Sequence, residues 1–169
     1  MPNYWTRKDD HTEEVKTITP WEQTIDGGDK IFPDPKTQGY LQRIKPGQVK
    51  RYVQMMELPS DEAAIREYRK WHSREHMWRD IVAGIRQAGL LEMEIYILGN
   101  RLVMIVDAPA WMDWQEAMRL LSTLPRQAEW EAFVSRFQGC SAEARSSEKW
   151  QMMERMFHLY DYEQDNPPA

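Results

Sequence analysis

Three short stretches of the chain, rich in apolar residues and bounded by turn or charged residues, read as strands. They are Arg51 to Leu58 (RYVQMMEL), Leu91 to Leu98 (LEMEIYIL) and Arg101 to Asp107 (RLVMIVD). Gly99-Asn100 separates the last two, and a Gly-Asn pair between such runs signals a tight hairpin. Along the second run Met93, Ile95 and Ile97 share one face, while Glu94 and Tyr96 share the other. A fourth strand is expected over Trp150 to Leu159 (WQMMERMFHL).

Helical spacing fills the gaps between these runs. After Pro59, Ser60 or Asp61 can cap a helix running to about Ala88, with Trp71, Trp78, Ile81 and Ile85 as its apolar stripe. Gly89 is placed to stop it, and Ser73 to Asp80 is where it would break and restart. Asp113 to Ser122 reads as a short helix. Pro125 opens another, Arg126 to Phe137, with Trp130, Phe133, Val134 and Phe137 on its apolar face. Gly139 to Ser147 is a polar loop.

The order strand, helix, strand, strand, helix, strand predicts an α+β fold, the ferredoxin-like split βαβ sandwich. Its four-stranded antiparallel sheet carries helices on one face. The other face needs a cover, and a second copy of the chain is the expected one, giving a homodimer. Residues 1–48 lack periodicity and are broken by Pro20, Gly27, Gly28, Pro33, Pro35 and Pro46, so they read as an irregular N-terminal extension. The domain then spans 49–160, and 161–169 is a flexible acidic tail.

Composition narrows the partners. The 169 residues carry a net charge of -5 with no long basic run, which argues against nucleic acid, although Tyr52 and Phe157 could offer stacking rings. The single cysteine, Cys140, rules out an internal disulfide and fits a reducing, cytoplasmic compartment. There is no apolar run of membrane-spanning length and no signal-peptide core near Met1 to Lys16, so no membrane is expected. Eight tryptophans and seven tyrosines are many for this length and suit a core, an interface or a sugar-stacking surface.

Candidate chemistry is sparse. His72 and His76 have helical spacing but no convincingly spaced third ligand, so no metal is expected. Cys140 has no histidine near it in sequence, and there is no phosphate loop or nucleophile elbow. What remains is the pair Tyr68 and His72, one helical turn apart, with Trp78 and Trp130 as candidate aromatic walls. A histidine trades protons near neutral pH. Residues of this kind in a core are also commonly just packed with their polar tips satisfied. Glu94, a carboxylate in mid-strand, requires water, a partner or a ligand.

The ordered set VKRYVQMMEL, EYRKWHSREHMW, GLLEMEIYILGNRLVMIVD, LPRQAEWEAFVSRFQ and EKWQMMERMFHL, from about Lys50 to Leu159, resembles the L-rhamnose mutarotase family, which includes L-fucose mutarotase relatives. LEMEIYILGNRL and LPRQAEWE look like the branch linked with L-fucose. The resemblance implies a dimeric ferredoxin-like fold, no metal or organic cofactor, and interconversion of the α and β anomers of a 6-deoxy-L-sugar. It also implies a Tyr-xxx-His pair at the sugar, here Tyr68 and His72, with Trp78 and Trp130 lining the site. The rhamnose branch has a tyrosine where this chain has Met93, and two tryptophans where it has Glu129-Trp130. These departures turn the expectation from L-rhamnose toward L-fucose.

Mutarotation protonates the ring oxygen as C1–O5 breaks and deprotonates the anomeric hydroxyl. The expected roles are His72 as the main acid/base, giving a proton to the ring oxygen, with Tyr68 holding a sugar hydroxyl or sharing the proton transfer. Trp130, Trp78, Tyr96, Glu94 and Arg101 are the expected sugar contacts. Two other readings fit the same fold: a non-catalytic carbohydrate-binding dimer, and a small monooxygenase acting on an aromatic substrate.

Overall fold

The structure, a computed structural model, describes residue 36, residues 39–144 and residues 146–162. Most of the expected 1–48 extension and of the 161–169 tail lies outside them. The chain divides into two units, Met1–Ile44 and Lys45–Ala169. All that follows concerns the second.

Its elements run β1 (Val49–Glu57), α1 (Glu62–Trp71), α2 (Arg79–Gln87), β2 (Glu92–Leu98), β3 (Arg101–Pro109), α3 (Trp114–Thr123), α4 (Gln127–Gln138), α5 (Ser146–Lys149) and β4 (Gln151–Met152). The sheet order is β2-β3-β1-β4 and every neighbouring pair is antiparallel. This is the split βαβ sheet that the alternation predicts. Leu102, Met104, Val106 and Ala108 of β3 join Met56 of β1 in one buried cluster with Tyr68, Ile81, Ala117, Trp130 and Val134 from the helices. The helices therefore cover one face of the sheet only, and α4 touches α1, α2 and α3.

Local chemistry explains most boundaries. Asp61 accepts a hydrogen bond from the Ala63 amide at 3.0 Å and starts α1, and Asp113 does the same for α3 through the Glu116 amide. Gly99 turns the β2–β3 hairpin at φ 60°. Asn100 ties that turn to the end of β1, its side chain donating to the Leu58 carbonyl at 2.8 Å.

One expectation is met and one needs correction. The helix expected from about 61 to 88 breaks and restarts within the stretch where an interruption was expected, giving two helices. His72 closes α1 at φ -97°, ψ 3°, and a turn over Ser73 to Met77 follows, in which the Ser73 hydroxyl meets His76 Nδ1 at 3.0 Å. A serine that bonds locally competes with the helical ladder. The last strand, expected over 150–159, is formed only at Gln151–Met152. The amide of Met153 still donates to the Val53 carbonyl at 2.8 Å, but from there the chain leaves β1, and Met156 is 96% exposed. Its residue types suit a strand, but among the described residues the segment has no further ladder to join. The polar loop expected over 139–147 ends in the short helix α5.

Candidate functional site

Tyr68 and His72 project from the last turn of α1 toward α4. Their rings stack with centroids 4.1 Å apart. His72 meets the Trp130 ring edge-on at 5.3 Å, and Trp130 meets Trp78 at 5.3 Å. The break between α1 and α2 is what brings Trp78 here: it is the N-cap of α2, one loop beyond His72. Phe133 and Trp71 back the aromatic group from behind, 4.8 Å apart. The Arg126 guanidinium lies 4.0 Å over the Trp78 ring. Thus Tyr68, His72, Trp78 and Trp130, chosen from sequence, form one cluster.

Electrostatics sets their protonation. His72 Nδ1 lies 2.8 Å from the Tyr68 carbonyl oxygen. A carbonyl only accepts, so Nδ1 carries the proton and Nε2 is left with its lone pair. Burial lowers the histidine below its ordinary pKa of 6.5, only partly opposed by that hydrogen bond, so the ring is neutral at neutral pH. Tyr68 is 3% exposed. Burial drives its phenol well above the ordinary 10.0, the Glu131 charge adds to this, and a hydrogen bond with Gln138 opposes it. The arrangement is a neutral base stacked on a phenol that keeps its proton.

Glu94, Tyr96 and Arg101 do not join this cluster. Met93, Ile95 and Ile97 pack toward the helices, and so does Leu102. By the pleat, Glu94, Tyr96 and Arg101 face the other side of the sheet. There the Tyr96 hydroxyl donates to Glu94 at 2.8 Å, and Arg101 pairs with Glu57 at 3.0 Å. Their expected place as contacts of a sugar at His72 is therefore corrected for a single chain. Tyr52 packs on Trp114 with centroids 4.3 Å apart, inside the helix layer, and is no exposed stacking ring. His76 is exposed and bonded to Ser73. Among the described residues no group of three His, Cys, Asp or Glu side chains could hold a metal ion.

Sequence reasoning missed a polar group beside the aromatic one. Gln127, Glu131 and Gln138 lie along α4, with Ser146 and Lys149 of α5 against them: Ser146 donates to Glu131 at 2.6 Å, and the Lys149 ammonium reaches it at 3.0 Å. The signal was the spacing 127, 131, 138, which keeps polar residues on a buried side of the helix. A separate open depression, lined by Ser60, Ile65, Arg66, Arg69 and Asn100 among others, shares no residue with either group. No helix among the described residues is long and apolar enough to cross a membrane.

The family model for L-rhamnose mutarotase matches residues 51–159. An L-fucose mutarotase of Xanthomonas campestris pv. campestris is 34% identical over 113 residues, covering 66% of this chain and 89% of the relative. A UPF0734 protein of Dictyostelium discoideum is 27% identical over 114 residues, covering 65% and 90%. Among solved structures, an L-rhamnose mutarotase from Formosa agariphila superposes with a TM-score of 0.49 at 15% identity, over 65% of this chain and 98% of its own.

Proposed function

Because the chain belongs to the L-rhamnose mutarotase family, whose members are isomerases acting at the anomeric carbon, we propose that it interconverts the α and β anomers of a 6-deoxy-L-hexose at the His72 cluster, with L-fucose as the preferred sugar. The observation that carries the mechanism is the 2.8 Å contact from His72 Nδ1 to the Tyr68 carbonyl. It favours a lone pair on Nε2, and a lone pair beside a sugar is a base.

In this reading the neutral ring starts as a base: Nε2 of His72, expected from sequence to give a proton to the ring oxygen, instead takes the proton of the anomeric hydroxyl. The C1–O5 bond breaks, its electron pair stays on O5, and the Tyr68 phenol supplies the proton that O5 needs. The open aldehyde turns about C1–C2. Closing runs the same transfers backward: O5 returns its proton to Tyr68, and the imidazolium protonates the new anomeric oxygen. No proton is lost to solvent and no covalent adduct forms. Trp130 and Trp78 stack against the C–H faces of the ring and exclude water.

L-fucose is favoured by the 34% identity to the L-fucose mutarotase and by Met93 and Glu129, which depart from the rhamnose pattern. A homodimer is part of the proposal. The sheet face away from the helices carries a half-buried apolar strip, Val53, Met55, Val103 and Ile105, flanked by the Arg51–Asp107 and Arg101–Glu57 pairs, and a second copy would cover it.

The test is saturation-transfer NMR of anomer exchange with L-fucose and L-rhamnose, using wild type and His72→Ala. Faster exchange of L-fucose that a folded His72→Ala protein loses supports the reading. Exchange no faster than buffer with either sugar sinks it.

A further inference from the structure

Helix α4 buries a polar row beside its apolar one. Gln127 is 8% exposed and Gln138 6%. Between them Glu131 receives three donors. Gln127 Nε2 and the Ser146 hydroxyl reach its Oε1 at 3.0 and 2.6 Å, and the Lys149 ammonium reaches its Oε2 at 3.0 Å. That ammonium belongs to a side chain only 1% exposed, whereas Glu131 keeps 22% of its surface open.

An ionised carboxylate offers about four lone-pair sites. Three donors leave one to fill. Two more acceptors stand open on the same helix: Oε1 of Gln127 and Oε1 of Gln138 are buried with no hydrogen-bond partner among the described residues. Native interiors rarely leave such groups unmatched. The row also adjoins the acid/base pair, since the Gln138 amide and the charge on Glu131 both act on the Tyr68 phenol. A helix that lines a sugar site with unfilled acceptors calls for a ligand rich in O–H donors.

We propose that Glu131, with Gln127 beside it and Lys149 holding it in place, accepts hydrogen bonds from hydroxyls of the bound sugar and so selects which deoxyhexose the site takes. The inference rests on the mutarotase reading and adds to it the residues that read the hydroxyls. The bland role of the pair would be to fasten α5 to α4 ahead of β4, and the experiment separates the two.

The full-length protein is titrated by ligand-observed NMR with L-fucose and with its 2-, 3- and 4-deoxy analogues. Wild type is set beside Glu131→Gln and the double variant Glu131→Gln/Lys149→Met, with melting curves recorded alongside. The double variant is included because removing one member of a buried pair strands the other, whereas replacing both is tolerated. The expected result is that wild type disfavours at least one deoxy analogue by about tenfold or more. The folded double variant binds L-fucose at least about tenfold more weakly and no longer distinguishes that analogue. A folded double variant with wild-type affinity and discrimination overturns the inference and leaves the pair as a fastener. If wild type binds and exchanges sugar while the variants match it, this inference alone falls. If wild type binds no sugar, the mutarotase reading falls and takes this with it.

Discussion

The imidazole of His72 donates from Nδ1 to the carbonyl oxygen of Tyr68, its neighbour one turn earlier, at 2.8 Å. The contact commits one ring nitrogen and frees the other, and burial keeps the ring neutral by lowering its pKa below 6.5. The base form therefore persists below pH 6.5, and the acid limb of kcat/KM for anomer exchange is expected there. Stability follows the same sign. Between the folded-state value and 6.5 the unfolded chain binds a proton that the folded chain refuses. Stability thus falls as pH drops through that window and is fully present above it. His72→Ala is expected to lose about 10²- to 10⁴-fold in exchange rate and to flatten the window in melting curves. An acid limb at or above pH 6.5 in the wild-type rate profile would contradict the tautomer and burial argument.

Tyr68→Phe separates proton supply from packing. The ring is retained, so stacking on His72 at 4.1 Å survives. Only the hydroxyl goes, which removes the donor to O5 and the partner of Gln138. We expect a loss of exchange rate of about 10²-fold or more with a modest rise in KM. Stability should fall by about 1–3 kcal/mol, the usual cost of stranding a buried polar group. Because burial holds the phenol well above 10.0, wild type should also show no alkaline limb up to pH 10.0. Rate profiles and denaturant melts on both proteins check this, and a Phe variant with wild-type exchange removes Tyr68 from the chemistry.

How far the sequence could be read depends on whether a signal was local. The Gly-Asn hairpin, the Asp61 cap and the stop at Gly89 are written in neighbouring residues, and all are seen. Helical spacing brought Tyr68 and His72 together. The sheet face of Glu94 and Tyr96 was legible too, since alternation sets them opposite Met93, Ile95 and Ile97. What alternation could not say is which face the helices cover relative to His72. The short β4 was hidden because residue types that suit a strand do not supply a partner. The Glu131–Lys149 pair was hidden because Glu and Lys ordinarily mark a solvated face. Burial of Lys149 comes from α5 folding onto α4, a contact between residues far apart in the chain.

Arg126 allows a test of the aromatic wall. It precedes α4 with φ 63°, the only non-glycine residue with positive φ among those described, and its guanidinium covers Trp78 at 4.0 Å. A side chain in that conformation costs about 1–2 kcal/mol relative to glycine. Arg126→Ala and Arg126→Gly lose the same cation–π contact, but only glycine relieves the backbone. Arg126→Gly should therefore be more stable than Arg126→Ala by about 1 kcal/mol in denaturant melts. Both should raise KM for the sugar more than they lower kcat, since an uncovered Trp78 is less well held. Identical melts would show that the turn relaxes without strain, and an unchanged KM would take Trp78 out of the wall.

The sheet face away from the helices gives the last prediction. Val53, Met55, Val103 and Ile105 point away from the helices, and charged pairs flank them. Apolar residues on a central strip are expected to be buried by a matching face, and a two-fold pair of identical sheets offers one. Ile105→Lys places an ammonium in the middle of that strip. Within one chain the change should be tolerated, since the side chain lies outside the core formed by Leu102, Met104 and Val106. At the interface it removes a residue worth about 1.5–3 kcal/mol when buried and sets two like charges close together across the two-fold axis. Sedimentation should show a wild-type dimer and an Ile105→Lys protein of half that mass with unchanged far-UV circular dichroism. A wild-type monomer would end the dimer proposal. A variant that stays dimeric would move the interface elsewhere. The exposed segment beyond Met153, where β4 leaves β1, would then be the next surface to substitute.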